Sequence, residues 1–137
     1  VSPDPVREEE RERYVRALVI DDSKAVRRIL GEILQELGFE VWEAANGREA
    51  LRLLKEVEAA DLALVDWNMP EMDGIEFVRA VRADTAYDDL RLIMVTTEAE
   101  EDKVVGALNE GADAYVVKPF TKATIVQKLD VLGVQTL

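Results

Sequence analysis

Short apolar runs alternate along this chain with stretches whose apolar positions recur every three or four residues, and no other feature narrows the fold so far. The runs are Ala17-Leu18-Val19-Ile20, Val41-Trp42, Leu62-Ala63-Leu64-Val65, Leu92-Ile93-Met94-Val95 and Ala114-Tyr115-Val116-Val117. Brief segments of this kind suit strands buried on both faces. Between the first two lie Val26, Ile29, Leu30, Ile33, Leu34 and Leu37, a single helical stripe, with Gly38 where a left-handed helix stop is wanted. Asn46-Gly47 opens a helix carrying Ala50, Leu51, Leu54 and Val57. Pro70 and Asp73-Gly74 mark a loop before Phe77, Val78 and Val81, and Val104, Val105 and Leu108 form a helix ended by Gly111. Thr121 is placed to cap a last helix bearing Ile125, Leu129 and Leu132.

Strand-helix alternation predicts an α/β domain, a five-stranded parallel sheet with helices on both faces. Right-handed crossovers leave few topologies. For a doubly wound sheet without a sixth strand, the flavodoxin-like order 2-1-3-4-5 is expected. A length of 137 residues fits one domain. Residues 1–15, with Pro3, Pro5 and a mixed-charge run from Arg7 to Arg13, are assigned to a charged N-terminal extension or linker, and 16–137 to the domain.

Composition removes several classes of chemistry. With no Cys and no His, disulfides, thiolate or imidazole metal sites, Ser–His and Cys–His machinery and a phosphohistidine on this chain are excluded. A net charge of −12 argues against direct nucleic-acid binding, which needs a cationic face. Apolar runs such as Ala17–Ile20 fall far short of the ~20 residues a membrane helix requires. The charged N-terminus shows no signal peptide, so a soluble cytoplasmic protein without membrane insertion is expected.

In an open parallel sheet, sites form at the carboxyl ends of the strands, near the point where strand order reverses. Strand one ends in Asp21-Asp22, strand three in Asp66, strand four in Thr96-Thr97 and strand five in Lys118 before Pro119. Each residue taken singly is explained as a turn former or helix cap. Together they bring Asp21, Asp22 and Asp66 to one junction. Two carboxylates ~6 Å apart repel by roughly 2–3 kcal/mol at an effective dielectric near 20, so three crowded together call for a cation. An all-oxygen site without His or Cys points to Mg²⁺ or a similar hard ion. Metal and Lys118 together would bind a tetrahedral anion, and a carboxylate among them can serve as nucleophile to give an aspartyl phosphate. Asp66, lying centrally, is the expected acceptor.

Val19-Ile20-Asp21-Asp22-Ser23, Asp66-Trp67-Asn68-Met69-Pro70-Glu71-Met72-Asp73-Gly74, Met94-Val95-Thr96-Thr97-Glu98 and Tyr115-Val116-Val117-Lys118-Pro119-Phe120 resemble the receiver domains of two-component response regulators, most closely the single-domain chemotaxis-type regulators. Those regulators are themselves a standard illustration of the 2-1-3-4-5 order, so strand order and resemblance are not independent. The resemblance implies that Asp66 is the phosphoacceptor. It implies that Asp22, Asp66 and the backbone carbonyl of Asn68 ligate Mg²⁺, with Asp21 acting largely through bound water. Thr96 and Lys118 would contact the phosphoryl group. The donor would be a phosphohistidine on a separate sensor histidine kinase or phosphotransfer protein. The family also favours a cis Lys118-Pro119 bond. Two departures stand out, an extension longer than a minimal receiver needs and Thr97 where a smaller residue is common.

The resemblance further implies a two-state switch. An anion beside Thr96 would draw its hydroxyl inward, and Tyr115 would change rotamer into the vacated space. That would alter the face made by the fourth helix, fifth strand and fifth helix, where a downstream protein target would bind. Moving such an equilibrium from 1:99 to 99:1 takes about 5.5 kcal/mol, within reach of a few charge-assisted hydrogen bonds of ~1.5–3 kcal/mol each. Asn68 and Glu98, each two residues past a key position, would tune dephosphorylation. Such a chain is a phosphoacceptor with self-catalysed phosphorylation and dephosphorylation at most, not an enzyme. Three alternatives share parts of this pattern. A receiver module excised from a larger regulator would share every motif. An aspartate-nucleophile phosphatase needs a second Asp where Asn68 stands. A flavin binder would need a first loop free of Asp21-Asp22, which repel phosphate.

Overall fold

The computed structural model describes residues 15–136. The chain runs β1 (Val15–Ile20), α1 (Lys24–Glu36), β2 (Phe39–Ala44), α2 (Gly47–Glu56), β3 (Leu62–Val65), α3 (Gly74–Arg82), a 3₁₀ turn (Thr85–Tyr87), β4 (Arg91–Thr96), α4 (Glu101–Glu110), β5 (Ala114–Val117) and α5 (Lys122–Val131). All strand pairs are parallel, and the sheet order is β2-β1-β3-β4-β5, as the sequence predicts.

Alternation along each buried strand divides the interior into two layers. Leu18, Ile20, Ala63, Val65, Leu92 and Met94 face the side covered by α2, α3 and α4, where Leu54, Phe77, Val78 and Ala107 meet them. Ala17, Val19, Leu62, Leu64, Ile93 and Val95 face α1 and α5 through Leu30, Leu34, Ile125 and Leu129. Helix starts are set by side-chain caps. Ser23, Asn46, Asp73 and Thr121 each accept from a backbone N–H three residues on. At Asp73 the cap is a full box, because Glu76 reaches back to its N–H. No helix among the described residues is long and apolar enough to cross a membrane.

Two features differ from the pattern reading. Val15, assigned to the extension on composition, is the first residue of β1 and pairs with Phe39. The strand signal was masked by Arg16, whose backbone N–H is taken by the Asp61 carboxylate and whose guanidinium reaches the Glu58 carbonyl. The rest of that extension lies outside the described residues. The stripe on α4 also turns away from the core: Ala107 is fully buried, while Val105 and Leu108 are 49% and 42% exposed. The small Ala107 is what this helix buries, its larger apolar residues are left outside, and Val117 of the edge strand β5 is exposed as well.

Candidate phosphoryl-transfer site

Five of the expected residues gather where β1, β3, β4 and β5 end. Asp21 continues the β1 ladder, donating its N–H to the Ala44 carbonyl, and its side chain is 2% exposed. One carboxylate oxygen accepts the Ser23 N–H at 2.8 Å and the other accepts from Lys118 Nζ at 2.8 Å. Asp66 donates its N–H to the Ile20 carbonyl and is 8% exposed. Its Oδ1 accepts the Trp67 N–H at 2.8 Å and its Oδ2 lies 3.5 Å from Lys118 Nζ. Asp22, next in the chain, is exposed. Asp21, Asp22 and Asp66 each place one carboxylate oxygen within 4.8 Å of the others. Lys118 is steered inward by its N–H bond to the Thr96 carbonyl and precedes a cis bond to Pro119.

Crowding leaves an electrostatic mark. Burial, and after it the Asp21 charge, pushes the Asp66 carboxyl above the usual Asp range. Lys118, the Thr96 hydroxyl and the Trp67 N–H pull the other way without cancelling it. The donor set suits a hard divalent ion: carboxylate oxygens from different strands, already close and short of positive charge.

The loop after β3 approaches the site closely because of Gly74. A Cβ there would lie 2.1 Å from the Asp66 carbonyl oxygen, and the Gly74 N–H already bonds the Trp67 carbonyl at 2.8 Å. Asn68, exposed on that loop, donates from Nδ2 to Glu98 Oε1 at 2.9 Å. Glu98 is a meeting point. Its N–H donates to Thr96 Oγ1 at 3.3 Å, its carbonyl accepts from the Tyr115 hydroxyl at 2.6 Å, and its Oε2 pairs with Lys103 Nζ at 3.3 Å. The Asn68 hydrogen bond and then Lys103 hold the Glu98 carboxyl below the usual range. Burial pushes the Tyr115 phenol up to about 12. Thr96 is fully buried and Tyr115 half-buried. Asp21, Asp22, Asp66, Asn68, Thr96, Glu98, Tyr115 and Lys118 thus lie in one neighbourhood.

Pattern reading missed three contributors. Arg27 of α1 donates to the Asp21 carbonyl at 2.7 Å and to Glu43 of β2 at 3.1 Å. Its signal was one of two adjacent cations, Arg27 and Arg28, inside the apolar stripe Val26 to Leu30. Lys103 sits 5.3 Å from the Trp67 ring centre as well as on Glu98. Its signal was a cation in the first turn of a helix that begins with Glu101 and Asp102. Gly74 gave only a turn signal, and its close approach to Asp66 needs coordinates to see.

The chain is similar in sequence and in fold to known proteins. The model of the response regulator receiver domain matches residues 17–130. A chemotaxis protein CheY homolog of Campylobacter jejuni is 47% identical over 121 residues, 87% of this chain and 93% of that protein. Among solved structures, the chemotaxis response regulator CheY4 of Vibrio cholerae has 37% identity and a TM-score of 0.80, covering 87% of this chain and 98% of that one. A chain in the CheX-CheY-BeF3-Mg²⁺ complex from Borrelia burgdorferi has 28% identity and a TM-score of 0.80, covering 88% of this chain and 90% of its own.

Proposed function

The chain belongs to the response regulator receiver domain family, and from that premise we propose that it accepts a phosphoryl group on Asp66 from a phosphohistidine of a separate sensor kinase or phosphotransfer protein. Receivers are phosphoacceptors rather than enzymes of the ordinary kind. In the step, an Asp66 carboxylate oxygen attacks phosphorus, the bond from phosphorus to the donor imidazole nitrogen breaks, and an acyl phosphate remains. Asp22, Asp66 and the Asn68 carbonyl would hold Mg²⁺, with Asp21 acting through water. When bound, the ion offsets the negative charge of the carboxylates and of the transferring phosphoryl oxygens. The Borrelia neighbour, solved with Mg²⁺ and in complex with CheX, supports both the ion and a protein partner.

Lys118 bridges Asp21 and Asp66 at 2.8 and 3.5 Å. That bridge is the single observation that carries the reading, because an ammonium held there is placed to pair with a new anion on Asp66. Thr96 would hydrogen-bond another phosphoryl oxygen, and Tyr115 would follow Thr96. The result is a changed face on α4, β5 and α5, whose exposed Val105, Leu108 and Val117 offer apolar contact to a downstream protein. The receiver unit begins at Val15, the first residue of β1, and the protein works in the cytoplasm.

The test is incubation with acetyl phosphate and Mg²⁺, read by intact mass. Wild type gains one phosphoryl group, Asp66→Asn gains none, and chelation of the metal abolishes the gain. Equal labelling of Asp66→Asn would overturn the assignment.

A further inference from the structure

A chain of contacts crosses the mouth of the site between the loops leaving β3 and β4. Asn68 Nδ2 donates to Glu98 Oε1 at 2.9 Å, Glu98 Oε2 faces Lys103 Nζ at 3.3 Å, and Lys103 Nζ lies 5.3 Å from the centre of the Trp67 ring. Trp67 directly follows Asp66, so the chain starts and ends on the loop that carries the acceptor. The Glu98 backbone is fixed at both ends, by Thr96 Oγ1 and by the Tyr115 hydroxyl. Only its side chain is free to swing, and Lys103 and Asn68 hold that.

Helix stability does not account for Lys103. It occupies the first turn of α4, where the helix dipole disfavours a cation. The α4 N-cap, Glu100, makes no side-chain cap bond that Lys103 could support. The position makes sense as the cation that pins Glu98 and packs on Trp67.

Taking Asp66 as the acceptor, a reading on which this step rests, we infer that Lys103 is a positioning residue that holds the Glu98 side chain across Asn68 and so sets the lifetime of the aspartyl phosphate. Loss of the phosphoryl group requires water to add to phosphorus in line with its bond to the Asp66 oxygen. The bond to the Asp66 oxygen then breaks, inorganic phosphate leaves, and the proton passes to phosphate or bulk water. Asn68 and Glu98 border that approach. With the Glu98 carboxylate tied down, its 2.9 Å bond to Asn68 spans the two loops. Without Lys103, a single exposed hydrogen bond remains, and the side chain moves out.

Wild type, Lys103→Met, Lys103→Arg, Glu98→Ala and Lys103→Met/Glu98→Ala are phosphorylated with acetyl phosphate. Decay of the phosphorylated mass is then followed after the donor is removed, alongside thermal unfolding. A partly exposed ion pair of this kind supports a lifetime about two- to fivefold shorter in Lys103→Met. Lys103→Arg retains most of the wild-type lifetime, and Lys103→Met adds nothing in the Glu98→Ala background. A role confined to folding would lower the melting temperature without this dependence on Glu98. Equal lifetimes in Lys103→Met and wild type, or an undiminished effect in the double variant, overturn the assignment while leaving Asp66 as acceptor. Wild type that takes up no phosphoryl group overturns the acceptor reading itself.

Discussion

The Tyr115 hydroxyl donates to the Glu98 backbone carbonyl across 2.6 Å, tying edge strand β5 to the loop that leaves β4 two residues after Thr96. Thr96 Oγ1 receives the N–H of the same Glu98 at 3.3 Å. One peptide segment thus connects the Thr96 hydroxyl with the aromatic ring of Tyr115 on β5. A displacement of Thr96 towards a phosphoryl group has a direct mechanical route to that ring.

The contact has a spectroscopic consequence. Burial, with Glu98 and Asp66 adding to it, pushes the Tyr115 phenol to about 12. Ultraviolet titration of wild type against Tyr115→Phe should isolate one tyrosine ionising well above the ordinary value. Replacing the hydroxyl removes a hydrogen bond with a net contribution of about 1 kcal/mol, the expected loss of stability. A difference spectrum with a midpoint near the ordinary tyrosine value contradicts the placement of this ring.

Burial of Asp66 is expected to lower stability at neutral pH when no divalent ion is added. Its folded-state carboxyl titrates above the ordinary value of 3.8, chiefly through burial. Between the ordinary value and the raised one, the native state binds more protons than the unfolded chain. Stability therefore falls as pH rises through that window and stays lower above it. Asp66→Asn removes the effect, so without divalent ions its melting temperature should exceed that of wild type at neutral pH. The gap should close as pH drops below the ordinary carboxylate range. Added Mg²⁺ should reverse the order. At a hundredfold excess over Kd, binding stabilises wild type by about 2.7 kcal/mol, and Asp66→Asn should gain far less. A variant no more stable than wild type at neutral pH, or equal gains from Mg²⁺, would contradict this.

Gly74→Ala should damage the site from outside the carboxylate cluster. The added methyl would meet the Asp66 carbonyl oxygen at 2.1 Å and the Trp67 Cα at 3.1 Å, both backbone atoms that cannot rotate away. Relief requires the loop after β3 to move, at an expected cost of about 1–3 kcal/mol. The Mg²⁺ midpoint, read from Trp67 fluorescence in a Trp42→Phe background, should rise with the loss of stability. An unchanged midpoint in a folded variant would show that the close approach does not position Asp66.

Strand order and the rim of polar residues were legible because each depends on short-range pattern: an apolar run, then a chemically distinctive residue where the run stops. Asp21, Asp66, Thr96 and Lys118 were found that way. Lys103 and Arg27 were not, since their partners Glu98 and Glu43 are reached only through the folded loops and strands. The outward turn of Val105 and Leu108 escaped for another reason. Periodicity shows that a helix has an apolar side, but here Ala107 does the packing and the larger residues face solvent. Val15 was hidden by the charge of Arg16, which the start of β1 accommodates once Asp61 and Glu58 receive its donors.

The most direct test of the central claim locates the acyl phosphate chemically. Protein phosphorylated with acetyl phosphate and Mg²⁺ is reduced with borohydride, which converts an aspartyl phosphate to homoserine, and the digest is sequenced by mass spectrometry. Homoserine at position 66 alone is the predicted result. Homoserine at Asp21 or Asp22, or none at position 66 despite a gain of mass, would contradict the account.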